Sequence, residues 1–144
     1  MNSGYNICVG TKYSSNSHSK YLLQFHLIFV CKYRKPLLEN NEIADEIKIL
    51  SKIICLKHNV EIKYAETDKD HIHYLISTKP NCNLANIVKA LKSYTTYHIW
   101  VKFQKELSKI FWKERTFWTD GYFISSVGNV SENTIKQYIE SQGK

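Results

Sequence analysis

The feature that most constrains this chain is a run of large apolar residues at alternate positions: Tyr21, Leu23, Phe25, Leu27, Phe29 and Cys31. In extended backbone successive side chains point to opposite faces, so the run predicts a strand over Tyr21 to Cys31 with one fully buried face. A strand this apolar needs neighbouring strands and a covering layer of helices, and the rest of the chain supplies both. Pro36 stops the strand, and Asn40 or Asn41 can cap a helix in which Ile43, Ile47, Leu50 and Ile54 recur at helical spacing. Val60, Ile62 and Tyr64 then alternate with Glu61 and Lys63, a turn falls at Asp68 to Asp70, and a third strand covers His71 to Ser77. Pro80 ends that strand. Asn83 caps a second helix through Leu84, Ile87, Leu91, Tyr94 and His98, with an extension through Val101 to Leu107.

Phe117 to Thr119 and Tyr122 to Val127 read as strand material around an Asp120-Gly121 turn. A loop at Gly128 and Asn129 leads to a last helix, capped by Ser131 and holding Ile135, Tyr138, Ile139 and Gln142. The order is β-α-β-β-α-β plus a terminal helix at about 131–142. It predicts an α+β fold of the ferredoxin-like or RRM-like split β-α-β kind, an antiparallel sheet with helices on one face and the extra C-terminal helix. Residues 20–144 are expected to form a single domain, and residues 1–19, rich in Ser, Asn, Gly and Lys, a flexible arm.

Composition narrows the function classes. With 144 residues and 43% hydrophobic content the chain can bury a core, and no apolar run approaches the roughly 18 residues of a membrane-spanning helix. A soluble, intracellular protein is expected. Cys8, Cys31, Cys55 and Cys82 form no CxxC pair, which argues against a zinc ribbon or a thioredoxin-like site and for free thiols. A net charge of +7 favours a polyanionic partner, because cations that neutralise phosphates release condensed counterions.

Two constellations carry candidate chemistry. In Asp70-His71-Ile72-His73 the period of two sends both imidazoles to one face of the third strand and Ile72 to the other, so the pair can grip one metal ion. Chance alternation on an exposed strand is the competing reading. Tyr138 and Gln142 lie four apart in the last helix and would share a face; the competing reading has Tyr138 packed with Ile135 and Ile139 and Gln142 in solvent. Together they suit phosphodiester cleavage. His71, His73 and Gln142 are neutral ligands that would leave Mg²⁺ or Mn²⁺ its charge and open positions, and Tyr138 would be the nucleophile. No GxxxxGK[ST] loop occurs, in keeping with chemistry that needs no ATP. Lys32, Tyr33 and Arg34 after the first strand, and Lys89 and Lys92 on the second helix, are candidate nucleic-acid contacts. Trp112, Lys113, Arg115, Phe117 and Trp118 add rings and cations suited to unpaired bases, against the alternative of a solvated charged face over an aromatic core. Phe25, Phe29 and Phe123 are assigned to the core.

Four ordered segments give the chain a family resemblance: Phe25-His26-Leu27-Ile28-Phe29-Val30-Cys31-Lys32-Tyr33-Arg34, Thr67-Asp68-Lys69-Asp70-His71-Ile72-His73, Phe117-Trp118-Thr119 with Tyr122 to Gly128, and Ile135 to Gln142. Across Tyr21 to Gln142 it resembles the single-tyrosine HUH transposases, the TnpA type of the insertion-sequence two-hundred/six-oh-five group. The resemblance implies that His71 and His73 are metal ligands, that Gln142 completes the set, and that Tyr138 forms a 5′-phosphotyrosine with single-stranded DNA. It further implies a homodimer that recognises terminal hairpins and excises and inserts a mobile element, with the tyrosine helix able to complete the partner's site by a hinge at Gly128 and Asn129. A rolling-circle nickase or relaxase would share the histidines and the tyrosine, but usually adds a further long domain. A non-catalytic RRM-like RNA-binding module would need aromatics where His71 and His73 stand.

Overall fold

The structure is a computed structural model that describes residues 11–14, 19–128 and 131–143. Its elements run β1 (Thr11–Ser14), β2 (Ser19–Val30), α1 (Asn41–Lys57), β3 (Glu61–Asp68), β4 (His71–Thr78), α2 (Leu84–Lys102), α3 (Gln104–Ser108), β5 (Phe123–Ser126) and α4 (Glu132–Ser141). The alternating run becomes the central strand: β2 pairs antiparallel with β4 and with β5, and β3 pairs antiparallel with β4. This is the α+β split β-α-β architecture. Four residues of the expected N-terminal arm form β1, which pairs with Ser19 to Leu22; residues 1–10 and 15–18 of that arm, with Cys8, lie outside the described residues.

Strand parity divides the sheet into two faces with different tasks. On one, Phe25, Leu27 and Phe29 stand opposite Ile76, Tyr74 and Ile72 and are fully buried against α1 and α2. Ile43 and Ile47 of α1 and Ile87, Leu91 and Ile99 of α2 complete this core. At about 1.5–3 kcal/mol for each large side chain removed from water, it is the main source of stability. The hydroxyls of Ser51 and Tyr74 meet at 2.7 Å, which satisfies the two polar groups this core contains at that point. Asn40 and Asn83 cap the helices, accepting from the backbone N–H of Glu42 and Ile43 and of Asn86 respectively.

Three expectations need correction. Helix α2 does not run on to Leu107: it ends at Lys102, and the break lets Phe103, Leu107 and Phe111 turn inward and become buried. The strand material after Phe117 reduces to an isolated bridge between Trp118 and Cys31 and the four residues of β5. Trp118 is a core residue, its indole N–H donating to Thr95 Oγ1 at 3.0 Å. Phe123, expected in the core beside Phe25 and Phe29, pairs with Ile28 and so faces the other side of the sheet. There it joins Ile28, Val30, Ile135, Tyr138 and Ile139 in a small second cluster through which α4 docks. Among the described residues no helix is long and apolar enough to cross a membrane.

Candidate active site

The second face of the sheet carries the candidate chemistry. Val30 pairs with His71, Ile28 with His73 and His26 with Leu75, so parity sends His26, His71 and His73 to the face opposite the main core. On β3, Asp68 and Glu66 stand opposite His71 and His73. Helix α4 lies over the β2 and β5 side of this face and leaves a cleft of about 720 Å³ between itself and the β3–β4 hairpin. His26, His71 and His73 line its floor, Tyr64, Glu66 and Asp70 its sheet side, and Ile135, Lys136, Ile139 and Glu140 its helical side.

Each cleft imidazole has a side-chain partner. His71 Nδ1 lies 2.9 Å from Asp70 Oδ1, and the other carboxylate oxygen of Asp70 accepts from Arg34 Nε at 3.2 Å. Burial raises the Asp70 pKa, but the hydrogen bonds from His71 and Arg34 outweigh it and hold the carboxyl below its ordinary range. The backbone supports this arrangement. Tyr33 and Arg34 both adopt positive φ, 58° and 53°, a conformation that costs non-glycine residues on the order of 1 kcal/mol each, and this bend brings Arg34 back to Asp70. His73 Nε2 lies 2.9 Å from His26 Nδ1. Burial lowers the pKa of both rings, and for His73 the neighbouring His26 lowers it further, so both are neutral at pH 7. Neutral, half-buried imidazoles on a rigid strand fit a divalent ion. With Nδ1 held by Asp70, His71 has Nε2 left to bind. Among the described residues no three His, Cys, Asp or Glu are grouped so as to hold a metal ion, so an ion on His71 and His73 would need further ligands from water, substrate or elsewhere.

The structure does not bring Tyr138 or Gln142 to the histidines of the same chain. Tyr138 does not line the cleft, although Ile135, Lys136 and Ile139 of the same helix do. Its ring packs on Phe123 at 5.4 Å between centroids, and a Cβ at Gly121 would lie 3.7 Å from its hydroxyl. That hydroxyl is buried with no hydrogen-bond partner among the described residues, and burial pushes its pKa up to about 12. Gln142 is not on the Tyr138 face of the helix, because α4 ends at Ser141 and Gln142 is extended, with φ −86° and ψ 163°. It lines a separate hollow with Arg34, Pro36, Glu39, Lys69, Asp70 and Gly143.

Comparison with known proteins decides the family. The profile described as "Transposase IS200 like" matches residues 19–142. The chain belongs to the IS200-like transposase family. It is 33% identical over 122 residues to the ISDra2 transposase TnpA of Deinococcus radiodurans, covering 85% of each chain. To the transposase of insertion sequence element IS200 from Salmonella typhimurium it is 29% identical over 128 residues, covering 89% of this chain and 82% of that one. A crystal structure of a transposase candidate from Deinococcus radiodurans R1 superposes with a TM-score of 0.78 at 29% identity, over 92% of this chain and 98% of that one. A REP-associated tyrosine transposase bound to a REP hairpin shares the fold, with a TM-score of 0.55 at 8% identity over 89% and 69% of the two chains. The family makes this chain an enzyme of transposition and sets aside the RNA-binding module.

In this IS200-like transposase the basic residues singled out from sequence fall into different settings. Lys89 is exposed on α2, and Tyr33 is half exposed beside Phe111. Lys32 sits 3.7 Å from the exposed Asp120 carboxylate, while Arg34 is held by Asp70 and by the Glu140 carbonyl at 3.4 Å. Lys92 is not a free cation. Its ammonium donates to the carbonyls of Thr119, Asp120 and Gly121 at 2.7, 3.0 and 2.7 Å, pinning the turn that approaches Tyr138, and burial draws its pKa down to about 8. Trp112 is exposed with Lys113 over its ring, and Arg115 covers Trp100. Sequence reasoning gave His26 no role. The available signal was its parity, opposite to Phe25 and Leu27, which places it on the histidine face once β2 and β4 are adjacent.

Proposed function

We propose that this transposase cleaves and rejoins single-stranded DNA through a 5′-phosphotyrosine on Tyr138, with Mg²⁺ or Mn²⁺ held by His71 and His73. The observation that carries this reading is the pair of half-buried imidazoles at adjacent same-face positions of β4, opening on a cleft walled by the helix that bears Tyr138. A divalent ion bound there supplies positive charge for the scissile phosphate and for the leaving oxygen. Asp70, anchored by Arg34, fixes the His71 ring. The Tyr138 phenolic oxygen attacks phosphorus as the bond to the 3′-oxygen breaks; the phenol loses its proton and the 3′-oxygen gains one. Rejoining reverses the step, a free 3′-hydroxyl displacing the phenolate.

Tyr138 turned toward Phe123 is a resting placement, so the chemistry requires α4 to leave its own sheet. The homodimer with sites completed in trans supplies such a route. Gly128, with φ +94° and no neighbour within 4 Å of a built Cβ, is suited to the pivot. Gln142 would join the ion only in that rearranged state. Lys89, Lys32 and Tyr33 offer phosphate and base contacts, and the hairpin seen on the REP-associated relative suggests hairpin ends as the substrate.

The test is incubation with labelled single-stranded element ends and Mn²⁺. The wild type is expected to yield a covalent protein–DNA adduct mapping to Tyr138, and Tyr138→Phe and His71→Ala none. An adduct on another residue overturns the assignment. Mixing Tyr138→Phe with His71→Ala restores cleavage only if the helix acts in trans.

A further inference from the structure

The two cleft imidazoles are held in matching ways from opposite directions. His71 has Asp70, its chain neighbour, and His73 has His26, which arrives from β2. His26 pairs with Leu75 and His73 with Ile28, so the two histidines are diagonal across the β2–β4 ladder, within reach of long side chains. Their rings lie 5.0 Å apart between centroids at 48°, and Tyr64 closes on His73 from β3, edge to face at 5.8 Å. His73 is thus gripped on two sides by strands that flank its own.

Two ring nitrogens 2.9 Å apart form a hydrogen bond only if one carries a proton and the other presents its lone pair. We infer that His26 is the positioning residue for His73, accepting the Nε2–H of His73 at its Nδ1 and so fixing which nitrogen His73 offers to the ion. With that bond standing, Nε2 is occupied and Nδ1 is the free donor of His73, whereas Asp70 leaves Nε2 as the free donor of His71. Ligating imidazoles generally donate their second N–H to a fixed acceptor, and His26 fills for His73 the place that Asp70 fills for His71. The opposite arrangement, in which an ion takes Nε2 of His73 and expels His26, predicts the reverse effect of removing His26. This inference rests on the proposal that His71 and His73 hold the divalent ion.

The test reads metal binding rather than cleavage: Mn²⁺ affinity of the full chain without DNA, by paramagnetic resonance titration or calorimetry. His26→Ala is expected to weaken Mn²⁺ binding by about 10- to 100-fold. His26→Phe, which keeps a ring of similar volume but has no acceptor, is expected to match it. His26→Gln, whose amide oxygen can accept the same N–H, recovers most of the loss. Binding by His26→Ala or His26→Phe as tight as, or tighter than, wild type overturns the inference, as does a His26→Gln variant no better than His26→Phe. If His71→Ala loses Mn²⁺ while His26→Phe keeps it, only the role of His26 fails. A wild type that binds no Mn²⁺, or a His71→Ala variant that binds as well as wild type, brings down the metal reading and this inference together.

Discussion

Tyr138 carries its hydroxyl into an apolar corner formed with Phe123 and Gly121, where no described residue hydrogen-bonds it. A buried hydroxyl without a partner costs about 1–3 kcal/mol, so Tyr138→Phe is expected to raise stability by about 1 kcal/mol in urea unfolding while abolishing the covalent adduct. Equal or lower stability would mean that the hydroxyl is satisfied in solution. Asp70 acts in the other direction. Its folded pKa lies below the ordinary value, so its contribution is present above that ordinary value and is lost as pH falls through the folded one. Wild type should therefore lose stability on acidification between those two values, and Asp70→Asn should be less stable at neutral pH and flatter across the same window. The sequence made His71, His73 and Tyr138 visible as residue types at meaningful spacings. Alternation put His26 on the face opposite Phe25 and Leu27, but its diagonal contact with His73 is set by the register of β2 against β4, which neither local propensity nor periodicity encodes.

At the scale of elements, the strands and helices that build the main core were legible because one buried face imposes a period on each. What failed were the ends. Whether a helix continues past Lys102 depends on where Phe103 and Leu107 find the core, and α4 stops short of Gln142 because that residue turns extended into the hollow beside Arg34 and Asp70. Helix α4 has ten residues, too few to be stable alone in water, and it is held by the docking of Ile135, Tyr138 and Ile139. The Tyr138 phenol has a folded pKa of about 12, above the ordinary 10, so the neutral ring favours the docked helix. That contribution is complete below about pH 10 and lost as pH rises through about 12. Phenolate absorbance titrated in wild type and in Tyr138→Phe should therefore differ by one group that ionises late, together with release of α4. A difference that titrates near 10 would show Tyr138 already exposed.

For the whole molecule, the proposed DNA binding can be read through salt, because each phosphate that a cation neutralises releases counterions. Single-strand affinity falls with a slope of about 0.7 in log salt for each phosphate neutralised. Lys89→Ala should lower that slope by about 0.7, whereas Lys92→Ala should leave it unchanged and instead destabilise the fold by about 2 kcal/mol, since its ammonium serves three carbonyls. Reversed effects would exchange the roles given to the two lysines. The division of the sheet into two faces has one more consequence. Every side chain of the main core comes from a residue before Ser125, and none belongs to α4. Helix α4 therefore sits on the sheet as a cover separate from the main core, and under the proposed mechanism the tyrosine it carries could be lifted away while the body beneath keeps its own packing.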